Sequence, residues 1–146
     1  MESSGANARE DKADPLVGII LTALAALLIV GVLTFAGPCA VHDGGEVGGC
    51  FWAARAILGV AVVMLILSIV RIFERDEGER RGLSFAVACL GVLVALMPGV
   101  LIDLCAIPTM RCHTFMQPYC IAAGTLAALV GGVDLTLRLL RLTKKA

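Results

Sequence analysis

Four long apolar stretches, separated by charged clusters, constrain this chain more than any other feature. A helix needs about 20 apolar residues to cross the roughly 30 Å hydrocarbon core of a bilayer. The stretches predict helices at about 16–36, 51–72, 83–103 and 119–140. Composition agrees: the 146 residues are 59% hydrophobic and 16% charged, with a mean hydropathy of +0.93. Soluble domains carry about a quarter charged residues. The expected fold is all-α: an integral membrane four-helix bundle built as two transmembrane hairpins, with the lipid bilayer as its solvent.

Residues 1–14 are polar and are expected to form a disordered cytoplasmic tail. Asp14 is a fitting N-cap and Pro15 fits the first helical turn. The first stretch is too long for a signal-peptide core and three more follow it, so it reads as a retained helix. Gly37-Pro38 ends it, and the glycine-rich segment 39–50 forbids a regular element. Phe51 and Trp52 suit an interfacial aromatic position. Pro98-Gly99 loosens the far end of the third helix. Gly124, Ala128 and Gly132, and likewise Ala123, Ala127 and Gly131, lie four apart on the last helix, a spacing that lets helix backbones approach.

Lys and Arg set the orientation. Arg71, Arg75, Arg80 and Arg81 crowd the middle turn. Arg138, Arg141, Lys144 and Lys145 end the chain, and Arg9 and Lys12 precede the first helix. The two connections on the other side hold Arg55 and Arg111 alone. Both termini and the middle turn are therefore expected on the cytoplasmic side. Net charge is zero, with 12 basic and 12 acidic residues, and no basic patch interleaves with aromatics. Nucleic acid is excluded as a partner.

Five of six cysteines map to the outer connections: Cys39, Cys50, Cys105, Cys112 and Cys120. Disulfides persist on that side. Cys39–Cys50 and Cys105–Cys112 are the expected bridges, pairing between the connections is the alternative, and Cys120 is the thiol left over. Cys89 reads as a small apolar residue inside the third helix. A redox reading, a membrane thiol–disulfide oxidoreductase, wants a closely spaced reactive pair such as Cys-x-x-Cys, which the chain lacks. A soft-metal reading rests on His42, His113, Met110 and Met116 beside the cysteines.

Arg55, one turn inside the second helix, either snorkels outward or pairs with Asp103. Asp134 and Arg138 read as a plain i, i+4 pair at the cytoplasmic edge. Apart from such edge residues the helices lack ionisable groups, which argues against a carrier or channel. No hydrolase, phosphate-binding or zinc-protease motif is present, and no cofactor is expected.

The two outer segments carry a pattern: C39AVHDGGEVGGC50FWAARAILG59, then L104CAIPTMRCHTFMQPYCIAAG124. They resemble the DUF4418 family of small bacterial four-helix membrane proteins. The second segment matches that pattern well. The first departs from it, with Gly48-Gly49-Cys50-Phe51 where the family tends to have Met-basic-Cys-His. The resemblance implies a bacterial inner-membrane location and an accessory role beside larger permeases, including ABC-type ones. Each half reads helix, Pro (Pro38, Pro98), Cys, connection, Cys, helix, which suggests a repeat about the membrane normal. The expected function is a non-enzymatic, disulfide-braced accessory subunit or scaffold among other membrane subunits.

Overall fold

The computed structural model describes residues 3–38, 48–104, 109 and 111–145, with side chains from Pro15 to Lys144 within those ranges. Four long helices make up the chain: α1 (Ser3–Leu33), α2 (Gly49–Phe73), α3 (Glu77–Leu96) and α4 (Gln117–Lys145). Each packs against its neighbour in the chain, and α4 closes the ring against α1. The contacts give an up-down-up-down order. Gly18, midway along α1, lies against Ile72 at the end of α2, and Gly31 near the end of α1 lies against Tyr119 at the start of α4.

Three of these helices are long and apolar enough to cross a membrane, over Pro15–Leu33, Gly49–Phe73 and Cys112–Lys144. The third helix differs from the expected 83–103. It stops at Leu96, so the uncharged part of α3 from Leu83 is about 21 Å long at 1.5 Å per residue, short of a full crossing. Pro98 has no N–H for the next helical bond. Gly99 then takes a φ of +91°, a conformation open to glycine. The chain folds back: Gly99 N–H donates to Ile102 O at 3.0 Å, and Ile102 N–H donates to Met97 O at 3.1 Å.

At the other end, α1 begins at Ser3 rather than after Asp14, so residues 3–14 continue the helix where a disordered tail was expected. Ala6, Ala8, Arg9, Glu10, Lys12 and Ala13 are helix-tolerant enough to extend it.

All four helices bury the same repeat. The inward positions are Leu21, Ala25, Leu28 and Val32 on α1, and Ala54, Ile57, Ala61, Met64, Ser68 and Arg71 on α2. Ser84, Val87, Gly91 and Val94 on α3 and Gly124, Ala127, Gly131, Asp134 and Arg138 on α4 complete the set. Alternating steps of three and four are the seam of left-handed bundles. α3 and α4 meet through backbone: a Cβ on Gly124 would lie 2.6 Å from Gly91 O, and one on Gly91 would lie 2.7 Å from the amide nitrogen of Ala128. The small-residue stripe expected on α4 divides here. Gly124 and Gly131 face α3, whereas Gly132 faces open space.

The outward positions are large and apolar, among them Leu27 and Val30, Ile66, Val92, Leu129 and Val133. An exterior this apolar is unlike a water-soluble domain, where apolar patches seldom exceed a few hundred Å². Lipid tails are the medium in which such a surface carries no penalty.

Candidate functional site

The densest polar chemistry lies inside the bundle, at the end where α2 turns into α3. Arg71, in the last turn of α2, is 2% exposed. Its Nη2 donates to Asp134 Oδ2 on α4 at 2.7 Å, and its Nε donates to Ser84 Oγ on α3 at 2.8 Å. Ser84 Oγ–H donates in turn to Asp134 Oδ2 at 2.7 Å. Arg138, one turn beyond Asp134, donates from Nε to Asp134 Oδ2 at 3.1 Å and from Nη1 to Glu77 Oε2 at 2.9 Å. Three helices are thereby joined by one layer of two guanidiniums, two carboxylates and a hydroxyl. α1 contributes Gly18, where a Cβ would stand 3.3 Å from Arg71 Nη1.

Asp134 and Arg138 form the expected i, i+4 pair, and at this end of the bundle they are buried against the other helices rather than standing as a plain surface pair. Arg71 joins them at the same level. By charge pattern alone Arg71 groups with Arg75, Arg80 and Arg81 of the turn, but the structure places it inside the bundle. Its spacing was the available signal: it falls three residues after buried Ser68 and seven after buried Met64.

The turn itself is closed by acidic side chains. Asp76 caps α3 by accepting from Gly78 N–H at 2.7 Å. Glu74 Oε1 accepts the amides of Arg75 at 2.9 Å and Asp76 at 3.3 Å. The amides of Asp76 and Arg75 hold the Glu74 carboxyl below the usual carboxylate range. Glu79 shares a hydrogen bond with Glu74 and faces its charge, so its own carboxyl is pushed up.

At the opposite end, Cys50, Cys112, Met116 and Cys120 are buried, and Met116 and Cys120 belong to the central apolar core. Residues 112–116 form a π-helical turn, with Gln117 N–H donating to Cys112 O. Pro118 gives the reason. It cannot donate to Thr114 O and its ring would crowd that carbonyl, so the helix widens just before it. The extra residue keeps Cys112, Met116, Cys120 and Gly124 on one inward face. Tyr119 ties α4 to α1: its hydroxyl donates to Leu27 O at 2.6 Å, and its ring meets Phe35 edge-on at 5.0 Å and lies against Gly31.

Of the expected site residues, Cys39, His42, Cys105 and Met110 lie outside the described residues. No disulfide joins Cys50, Cys89, Cys112 or Cys120 to one another among the described residues. Cys89 faces outward on α3. His113 Nδ1 lies 3.2 Å from Gln117 Oε1 at the surface of the turn, while Met116 points into the core, so the two are not brought together. No three His, Cys, Asp or Glu side chains converge as a metal-binding group among the described residues. Arg55 lies over the Phe51 ring, 4.7 Å from its centre, and no ion pair links it to Asp103 among the described residues. The Asp103 backbone carbonyl instead packs on Gly49.

Residues 19–137 match the family described as Domain of unknown function (DUF4418). The chain belongs to the DUF4418 family. The matched range runs along all four helices, from Leu21 of the core to Asp134 of the charge layer. No curated protein and no solved structure matches the chain.

Proposed function

We propose that this DUF4418 protein is a non-enzymatic, multi-pass membrane protein that serves as an accessory subunit or scaffold of a larger membrane complex. The observation that carries the reading is the charge layer. The ionisable side chains inside the bundle engage one another across three helices. A layer of this kind fixes how helices sit, which is what a scaffold needs. The large apolar outer faces of α1, α2 and α4 are then available to lipid and to neighbouring subunits.

In this reading the short third helix and the turn at 97–102 together complete a fourth crossing. Both termini and the Arg-rich turn face the cytoplasm of a bacterial inner membrane. Cys39–Cys50 and Cys105–Cys112 brace the two outer segments as disulfides, and ABC-type permeases are the class of partner that the family resemblance implies. Burial of Cys50, Cys112 and Cys120 favours bracing over thiol exchange with a partner protein, which needs an accessible sulfur.

The test is the native mass of the chain, tagged at its chromosomal copy and extracted in mild detergent. A complex well above 15.2 kDa, with partner subunits in fixed stoichiometry, is expected. Migration of all the protein as monomer or self-oligomer refutes the accessory role. Thiol counting on the same sample is expected to find Cys39, Cys50, Cys105 and Cys112 oxidised, and four reactive thiols there would remove the bracing.

A further inference from the structure

We propose that two copies of this chain pair side by side through the outer face of α2, with Arg55 of each copy meeting Asp103 of the other. The pairing goes beyond the accessory role and is independent of it, since it uses only this chain's own surface.

Both charges are exposed at the outer end of the bundle. Among the described residues the Arg55 guanidinium meets the Phe51 ring and no carboxylate, and the Asp103 carboxylate meets no cation. They sit on opposite flanks of α2. Arg55 lines the cleft between α2 and the end of α1, with Leu33 and Pro38. The Asp103 carbonyl packs on Gly49, on the flank that faces the turn after α3. Arg55 follows Gly49 by six residues, so it lies about 120° further around α2 and about 9 Å deeper. Trp52, 61% exposed, stands midway between them and keeps them from pairing within one copy. The difference in depth is made up by the arginine. Its side chain leans toward the start of α2 and lies over the ring of Phe51, one turn nearer the outer surface, at 4.7 Å.

A face with one charge of each sign on its two flanks is complementary to itself. A two-fold axis along the membrane normal, in front of Trp52, exchanges left and right. It sets Arg55 against Asp103 twice and keeps like charges apart. A lipid phosphate would answer Arg55 but not Asp103, whereas a second copy answers both. Below the charges the face is shaped for close approach. At Gly59, two turns below Trp52, a Cβ would meet nothing within 4 Å. Trp52, Gly59, Ile66 and Phe73 are all exposed and recur at the heptad spacing that a helix–helix seam uses. Glycine on such a seam lets two helices in lipid come together.

The test is energy transfer between donor-labelled and acceptor-labelled copies of the full chain in phosphatidylcholine vesicles. Transfer is expected for the parent. Arg55→Asp leaves two carboxylates on the face and Asp103→Arg leaves two guanidiniums, so each variant alone sets like against like and should pair about tenfold more weakly or worse. Mixing the two variants should restore transfer, because every contact between them then joins opposite charges. A pair formed within one copy cannot give that result. Gly59→Leu, which enters open space in the single copy, should weaken pairing with helix content unchanged. Gly132→Leu, on α4 across the bundle, should leave pairing as it is. The two glycine variants decide if a charge variant fails to insert. Absence of transfer in the parent overturns the proposal. So do charge variants that pair as the parent does, a mixture that stays apart, or a Gly59→Leu chain that pairs as well as Gly132→Leu.

Discussion

Replacing Asp134 with Leu tests the charge layer most directly. The change removes the carboxylate that receives Arg71 at 2.7 Å, Ser84 at 2.7 Å and Arg138 at 3.1 Å. Arg138 keeps Glu77, whereas Arg71, 2% exposed, loses the carboxylate that it meets at 2.7 Å. Breaking a buried ion pair by removing one partner costs about 3–5 kcal/mol. Arg71→Met is milder, because Asp134 keeps Ser84 and Arg138, and the loss is one charged hydrogen bond of about 1.5–3 kcal/mol. Removing both leaves neither charge stranded, so the double variant should cost less than the two singles together by about 2–3 kcal/mol. Reversible unfolding in bicelles, followed by circular dichroism, gives the four stabilities of the cycle. Ordinary interhelical hydrogen bonds in membrane bundles couple by only about 0.6 kcal/mol. A measured coupling at or below that level would mean that water reaches the layer and that its charges are not held as the structure places them.

Three further outcomes follow from the packing. Gly124→Leu pushes a side chain onto the backbone of α3, 2.6 Å from Gly91 O, and should cost at least the 1–3 kcal/mol typical of overpacking, while Gly132→Ala, facing open space, should be neutral or slightly stabilising in the same unfolding assay. Tyr119→Phe keeps the ring against Phe35 but loses the hydroxyl bond to Leu27 O, so a loss of about 1 kcal/mol is expected; no loss would show that this hydroxyl is solvated. Glu74, with its lowered pKa, supports the α2–α3 turn above its unfolded pKa and loses that support as acid protonates it; Glu79, with its raised pKa, contributes most at low pH and loses this as pH rises. Glu79→Gln should therefore leave a turn whose amide exchange protection at Gly78 and Arg80 falls only on acidification, and an unchanged pH profile would refute the shared bond.

The helices were legible because long apolar runs between charges leave little choice, and α1, α2 and α4 lie over the expected segments. The end of α3 was half legible. Pro98-Gly99 signalled a loosening, but the positive φ at Gly99 and the fold-back to Ile102 are tertiary choices. What apolar pattern could not give was the inward face. On a chain meant for lipid, Leu and Val cover both sides, so hydrophobicity has no strong direction around the helix. Size and polarity carried that information instead: Ala25, Ala54, Ala61, Ser68, Ser84, Gly91 and Gly131 all point inward. The same steps lead from Ser68 to Arg71 and from Gly131 to Asp134, so the charge layer could have been found by following small residues rather than large ones. Cys39, His42, Cys105 and Met110 lie outside the described residues.

A core of small residues raises a problem that the layer answers. Between helices in lipid no hydrophobic force selects one arrangement over another. Gly91, Ala95, Gly124, Ala128 and Gly131 are so alike that α3 slid by one heptad along α4 would still find backbone contact. The charge layer is not so tolerant. A slip of one heptad moves Ser84 about 10 Å along the axis from Asp134 and breaks the bond its hydroxyl donates there. A single polar layer in an otherwise degenerate seam is the best-attested way to specify register. The double variant Arg71→Met/Asp134→Leu should then remain helical and be less destabilised than the two single changes together, yet lose its single arrangement. Methyl resonances of Val87, Val94 and Val130 should appear once in the parent and as two or more exchanging sets in the double variant. One sharp set in both proteins would place the specification of register in the glycine contacts alone.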